Sequence, residues 1–127
     1  MPKLLVVDDD QLTLEILKTA LEGCDYEVIT ASDGLDALNK ARAEHPDIIL
    51  LDIMLPKLQG YQVCRLLKFD DQYSHIPIIM ITGKAGDENR SLGLKTGANE
   101  YVTKPFEIDE ILKIVSDHLK SIPSSVG

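Results

Sequence analysis

The sequence predicts an α/β domain: a doubly wound sheet of five parallel strands in the order 2-1-3-4-5, with helices on both faces. Three observations carry this expectation. Short apolar runs alternate with longer segments of helical period, the pattern of repeated strand–helix units. Three of the runs are apolar throughout, as strands covered on both faces are, and two mix in polar residues, as edge strands do. The 127 residues suit one domain, because two independent cores in that length would each be undersized.

The elements follow in order. Leu4-Leu5-Val6-Val7 is the first strand, and Asp10 opens a helix in which Leu14, Leu17 and Leu21 recur at i, i+3 and i+7. Tyr26 to Ala31 is the second strand, with Glu27 and Thr30 marking it as an edge. After Asp33-Gly34, Leu35, Leu38 and Ala41 are expected to share one helix face. Ile48-Ile49-Leu50-Leu51 is the third strand, and Val63, Leu66 and Leu67 mark the helix after Gly60. Ile78-Ile79-Met80-Ile81 is the fourth. The helix from about Asp87 to Thr96 is the weakest, with a thin apolar stripe and Gly93 inside it. Tyr101-Val102-Thr103 is the fifth strand, an edge flanked by Asn99 and Glu100. Ile108, Ile111, Leu112, Val115 and Leu119 then form the clearest helical stripe of the chain. Right-handed crossovers with strands two and five at the edges give the 2-1-3-4-5 order. The domain is expected over 1–121, with 122–127 a frayed tail or the start of a linker.

Composition narrows the function. Thirteen Lys+Arg against 21 Asp+Glu leave a formal charge of −8, which argues against direct nucleic-acid binding and against an anionic membrane surface. No apolar run approaches the ~20 residues of a membrane span, and the N-terminus does not resemble a signal peptide. Cys24 and Cys64 are lone thiols, expected to be packed or partly packed, and a cytoplasmic location is the default. His45, His75 and His118 lack the spacing to share a ligand and are expected at the surface.

In a doubly wound sheet, chemistry collects beyond the carboxyl ends of the strands, at the switch point between strands one and three. Strand one ends in Asp8-Asp9-Asp10, where N-capping occupies one carboxylate, that of Asp10, and leaves two. Strand three ends in Asp52. Carboxylates converging there repel one another unless a cation is shared, and Mg²⁺ suits such hard oxygen donors. Strand four ends in Thr82, which could equally bond its own backbone as a loop start. Strand five ends in Lys104-Pro105, and an ammonium there can reach the acidic crevice. Acids, hydroxyl and ammonium on separate strand ends make a phosphoryl-transfer site, where positioning and charge neutralisation matter most.

The chain resembles the receiver domain of bacterial two-component response regulators, of the single-domain chemotaxis-regulator kind. The resemblance lies in Leu5-Val6-Val7-Asp8-Asp9, Leu51-Asp52-Ile53-Met54-Leu55-Pro56, Ile81-Thr82-Gly83, Gly97-Ala98-Asn99-Glu100-Tyr101-Val102 and Lys104-Pro105-Phe106. It runs from about residue 3 to about 120 and implies the same sheet order, that of a flavodoxin-like fold. It implies that Asp52 accepts a phosphoryl group from the phosphohistidine of a histidine kinase or histidine phosphotransfer protein. It implies Mg²⁺ on Asp9, Asp52 and the Met54 backbone carbonyl, with Asp8 acting through water. Thr82 and Lys104 would bind the phosphoryl group, and Tyr101, whose plainer role is edge-strand packing, would move with Thr82 as the switch. The Lys104–Pro105 peptide is expected cis. The altered surface would be that of the fourth helix, fifth strand and fifth helix, read by a downstream protein or an effector domain outside this chain. Met54 and Lys84, each two residues past a site residue, would tune the phosphoryl lifetime. Gln59 stands before Gly60, and as a poorer cap than Asp it suggests a looser helix start.

A second function competes. Asp8-x-Asp10 imitates the opening of haloacid-dehalogenase-type phosphatases, which would make Asp8 the nucleophile of a hydrolase and Thr82 its second motif. That alternative leaves Asp52 without a role and lacks a cap domain. A flavin-binding module is disfavoured, since an acidic first loop repels the cofactor's phosphate. The expected protein is a phospho-accepting switch, not a turnover enzyme.

Overall fold

A computed structural model describes residues 1–83 and 86–121. The elements are β1 (Lys3–Val7), α1 (Gln11–Glu22), β2 (Glu27–Ala31), α2 (Gly34–Glu44), β3 (Ile48–Leu51), α3 (Gly60–Lys68), β4 (Ile78–Thr82), α4 (Asp87–Lys95), β5 (Glu100–Thr103) and α5 (Ile108–Ser121). All strand pairs are parallel, in the order β2-β1-β3-β4-β5. The expected architecture is therefore the observed one. Every residue of β3 and β4 is buried, whereas β2 and β5 carry exposed or half-buried positions, so strand composition did encode position in the sheet.

The two-residue period of the strands divides the core. Leu4, Val6, Ile48, Leu50, Ile79 and Ile81 face α1 and α5, meeting Leu14, Leu17, Leu21, Ile111 and Val115. Leu5, Val7, Ile49, Leu51, Ile78 and Met80 face the other way, toward Ala37, Leu38 and Ala41 of α2 and Val63, Cys64 and Leu67 of α3. Tyr101 belongs to this second side, while Val102 beside it belongs to the first.

Two stripes differ from expectation in the same way. Leu35 is 49% exposed and Leu66 45% exposed. Each helix instead buries an i, i+3, i+4, i+7 set that begins on its first glycine: Gly34, Ala37, Leu38, Ala41 and Gly60, Val63, Cys64, Leu67. A residue next to such a set is turned by about 100° and points away. Cys24 also departs from expectation. It is exposed, because it lies in the turn between α1 and β2, past the last buried position of the helix, Leu21. Cys64 is buried as expected. His45 and His75 are exposed; His118 is half-buried, 3.4 Å from Glu100 Oε1.

The start of α3 is tied down despite Gln59, since its backbone N–H donates to Gln62 Oε1 at 3.0 Å. The looser start expected there is not seen. At the sheet edge, the Lys40 ammonium donates to the Thr30 carbonyl at 2.6 Å and pairs with Asp36 at 3.1 Å. Among the described residues, no helix is long and apolar enough to cross a membrane. The residues 122–127, expected as a tail, lie outside the described residues.

Candidate phosphoryl-transfer site

The parallel ladders run one residue past the strands and thereby gather the site. Asp52 N–H donates to the Val7 carbonyl at 3.0 Å, which sets the end of β3 beside the end of β1. Asp8 N–H donates to Ala31 O at 3.2 Å, and Lys104 N–H to Thr82 O at 2.7 Å. α3 then presses on the end of β3. A Cβ on Gly60 would collide with the Asp52 carbonyl oxygen and the Ile53 Cα, and Gly60 N–H donates to Ile53 O at 2.8 Å. The hydrogen side chain of Gly60 is what permits this close approach.

Asp8, Asp9 and Asp52 each offer a carboxylate oxygen, and these oxygens all lie within 4.8 Å of one another. Asp8 is 2% exposed and Asp52 6% exposed, while Asp9 faces solvent. The Lys104 Nζ donates to Asp8 Oδ2 at 2.7 Å and to Asp52 Oδ2 at 3.2 Å. The backbone orients the other oxygens. Asp10 N–H donates to Asp8 Oδ1 at 2.9 Å, and Met54 N–H to Asp52 Oδ1 at 3.3 Å. Asp10 caps α1 as expected, its carboxylate accepting from Leu12 N–H and the Thr13 hydroxyl. The backbone role of Asp10 toward Asp8 was not legible in its side chain.

Burial pushes the Asp8 carboxyl above its ordinary value, and the charge of Asp52 adds to the effect against the pull of Lys104 and the Asp10 amide. Burial works against the Lys104 ammonium, but the hydrogen bond and charges of Asp8 and Asp52 outweigh it and hold the lysine above its usual range. Among the described residues, the site is thus an acidic crevice whose two buried carboxylates share the Lys104 ammonium. Hard oxygen donors this close, two of them buried, fit a hard divalent cation such as Mg²⁺.

The structure brings together Asp8, Asp9, Asp52 and Lys104, with Thr82 fully buried at the last position of β4. Met54 stands 60% exposed two residues past Asp52. Tyr101 is 3% exposed on β5, and the Lys104–Pro105 peptide is cis. Lys84 lies outside the described residues.

A doubly wound sheet with this crevice at its β1/β3 switch point defines a phosphoryl-transfer class of α/β domain. The chain belongs to the response regulator receiver domain family, whose model matches residues 4–116. It is 49% identical over 109 residues to the alkaline phosphatase synthesis transcriptional regulatory protein PhoP of Bacillus subtilis, covering 86% of this chain and 45% of that one. It is 40% identical over 119 residues to protein PilG of Pseudomonas aeruginosa, covering 94% of this chain and 88% of that one. Its structure matches the receiver domain of the sensor histidine kinase PA1611 of Pseudomonas aeruginosa, solved with a magnesium ion coordinated in the active site cleft. That match has a TM-score of 0.87 and 30% identity, and covers 94% of this chain and 98% of that one. The chain spans about half the length of most curated relatives it matches. It is a receiver domain of two-component signalling, a phosphorylation-activated switch.

Proposed function

We propose that Asp52 is the phosphoacceptor, receiving its phosphoryl group from the phosphohistidine of a histidine kinase or histidine phosphotransfer protein. One observation carries this reading: Asp52 is the buried carboxylate at the β3 end, beside two further carboxylates and bonded to Lys104. In the transfer, an Asp52 Oδ attacks phosphorus, the phosphorus–nitrogen bond breaks, and the imidazole leaves with its electron pair. Asp9, Asp52 and the Met54 carbonyl would hold Mg²⁺, with Asp8 acting through water. The ion, when bound, neutralises charge on the carboxylates and the phosphoryl oxygens. Lys104 pairs with the phosphoryl group once it arrives, and Thr82 donates its hydroxyl to it. Tyr101 follows Thr82, and the α4–β5–α5 surface changes for a downstream protein or an effector domain. The receiver spans 1–121 and works in the cytoplasm, without direct contact with nucleic acid or membrane and without turnover of an external substrate.

Family membership leaves the hydrolase alternative without support. The test is incubation with Mg²⁺ and a small phosphodonor followed by intact mass measurement. The parent chain gains one phosphoryl group, and Asp52→Asn gains none while remaining folded. Full labelling of Asp52→Asn, with loss of label in Asp8→Asn, would overturn the assignment and restore Asp8 as nucleophile.

A further inference from the structure

We propose that the groove between α2 and α3 is a docking surface for a partner protein, and that it takes an amphipathic helix carrying carboxylates beside an aliphatic stripe. The proposal stands apart from the phosphoacceptor reading, because no residue lining the groove belongs to the carboxylate crevice.

α3 carries apolar side chains on two faces. Gly60, Val63, Cys64 and Leu67 face the core. Gln62, Arg65, Leu66 and Phe69 form a second i, i+3, i+4, i+7 set, turned by about 200° from the first. This second set lines an open groove of about 910 Å³, with Leu58 ahead of α3 and Arg42 facing it from the last turn of α2. Phe69, at the C-cap of α3, is 77% exposed, and Leu66 beside it faces solvent as well. A row of this spacing, two turns over roughly 10 Å, receives the side chains of an apposed helix.

Charge sets the chemistry of the occupant. Two of the chain's three arginines, Arg42 and Arg65, stand in this groove. Lys3, Lys18, Lys40, Lys57 and Lys104 all have carboxylate partners, but among the described residues neither groove arginine has one. The Arg65 guanidinium lies instead over the Phe69 ring, 5.7 Å from its centroid. Arginines without internal acids, beside exposed Leu66 and Phe69, call for carboxylates from another molecule. Asp70 and Asp71 line the groove past the end of α3, and the Asp70 carboxylate accepts from the Gln72 N–H at 3.0 Å. They place the occupant's acids toward Arg42 and Arg65 and away from that end. The rim is formed before any partner arrives. The Tyr73 hydroxyl donates to the Arg42 carbonyl at 3.4 Å, and the Tyr73 ring stacks on His45 at 5.5 Å. Ser74 N–H donates to Asp70 O at 2.8 Å, and the Lys68 ammonium holds the Ser74 and Ile76 carbonyls at 3.2 and 2.6 Å. These bonds fix the Arg42 backbone and the wall after α3, which lowers the ordering cost of binding. An exposed aromatic with arginines on such a surface is the composition from which binding energy is mostly drawn.

Net charge alone draws basic peptides to a chain of −8, so a preference for acidic ones is diagnostic of this groove. The probe is a displayed library of helices of about four turns, varied in charge and selected against the full chain. Enriched sequences should carry aliphatic residues at i, i+3 or i+4 beside Asp or Glu. The leading sequence, made as a peptide, should shift the backbone amide resonances of α3 and of the segment 70–76. Phe69→Ala should weaken its binding about tenfold, and Arg42→Glu with Arg65→Glu should weaken it by about tenfold or more. The same peptide with lysines in place of its acids should bind that double variant more tightly than the parent. All three residues are exposed, so the variants should keep the parental unfolding midpoint. No enrichment, enrichment of basic helices, or amide shifts outside the groove overturns the proposal, as does parental affinity in the charge-reversed variant. Groove resonances that move with protein concentration alone, with dimers in sedimentation equilibrium, make the occupant a second copy and overturn it too. None of these readouts needs phosphoryl transfer, so Asp52→Asn should bind the peptide like the parent even where the phosphoacceptor reading fails.

Discussion

Lys104 and Asp8 lie 96 positions apart in the chain, yet the lysine Nζ stands 2.7 Å from Asp8 Oδ2. The same ammonium reaches Asp52 at 3.2 Å, so one cation balances two buried carboxylates drawn from different strands. Removing it strands both charges. Lys104→Ala should lower the unfolding midpoint in metal-free buffer, by ~1–3 kcal/mol of stability, the usual cost of an uncompensated buried polar group. Millimolar Mg²⁺ should then stabilise the variant more than it stabilises the parent. Urea unfolding with and without Mg²⁺ measures both. Equal stabilisation of the two proteins would show that lysine and metal do not answer the same charge.

Asp9 has the opposite standing, because it is the solvent-facing member of the cluster. Asp9→Ala removes a metal donor and one repelling charge together. The variant should lose the rise in unfolding midpoint that Mg²⁺ gives the parent, and should be slightly more stable than the parent without metal. A parental Mg²⁺ response in thermal melts would remove Asp9 from the ligand set.

Much of this was legible in the sequence, for a specific reason. The candidate site residues stand at the strand ends, and the apolar runs Leu4–Val7, Ile48–Leu51 and Ile78–Ile81 mark those ends without ambiguity. What stayed hidden depends on contacts between elements. Leu35 and Leu66 were assigned to the buried faces because periodicity counts apolar side chains, whereas α2 and α3 begin their buried sets on glycine. Gly93 reads in sequence as a weakness of α4; only the Tyr101 ring beside it shows why no larger residue fits.

The fourth helix should be the loosest. Its N-cap is Gly86, with a φ of 109° and no side-chain cap bond, and its described side chains bury little. Backbone amides of α4 should exchange with solvent faster than those of α5, which seats Ile111 and Val115 in the core. Phosphorylation should change exchange in α4 more than in α5. Hydrogen exchange followed by mass spectrometry distinguishes the two helices, and uniform protection in both states would contradict the expectation.

Phosphoryl lifetime should depend on Met54. Hydrolysis needs a water held in line behind phosphorus, and the exposed Met54 side chain offers only a weak thioether acceptor for it. Met54→Asn supplies an amide at that position. Decay of the phosphorylated form in excess Mg²⁺, after donor removal, should speed up by about three- to tenfold, where tenfold is ~1.4 kcal/mol of barrier. An unchanged or longer lifetime would show that water positioning at residue 54 does not set the rate.

The bond from Lys40 to Thr30 has a consequence for how molecules of this protein can meet. The Ala31 carbonyl points inward, accepting from Asp8, so the Thr30 carbonyl one residue earlier points off the open edge of the sheet. A strand from a second molecule, arriving to lengthen the sheet at β2, needs that carbonyl and finds an ammonium already on it at 2.6 Å. Docking there would force the newcomer to expel a charged side chain that Asp36 also holds. At this edge the protein resists fibre-like growth by strand addition.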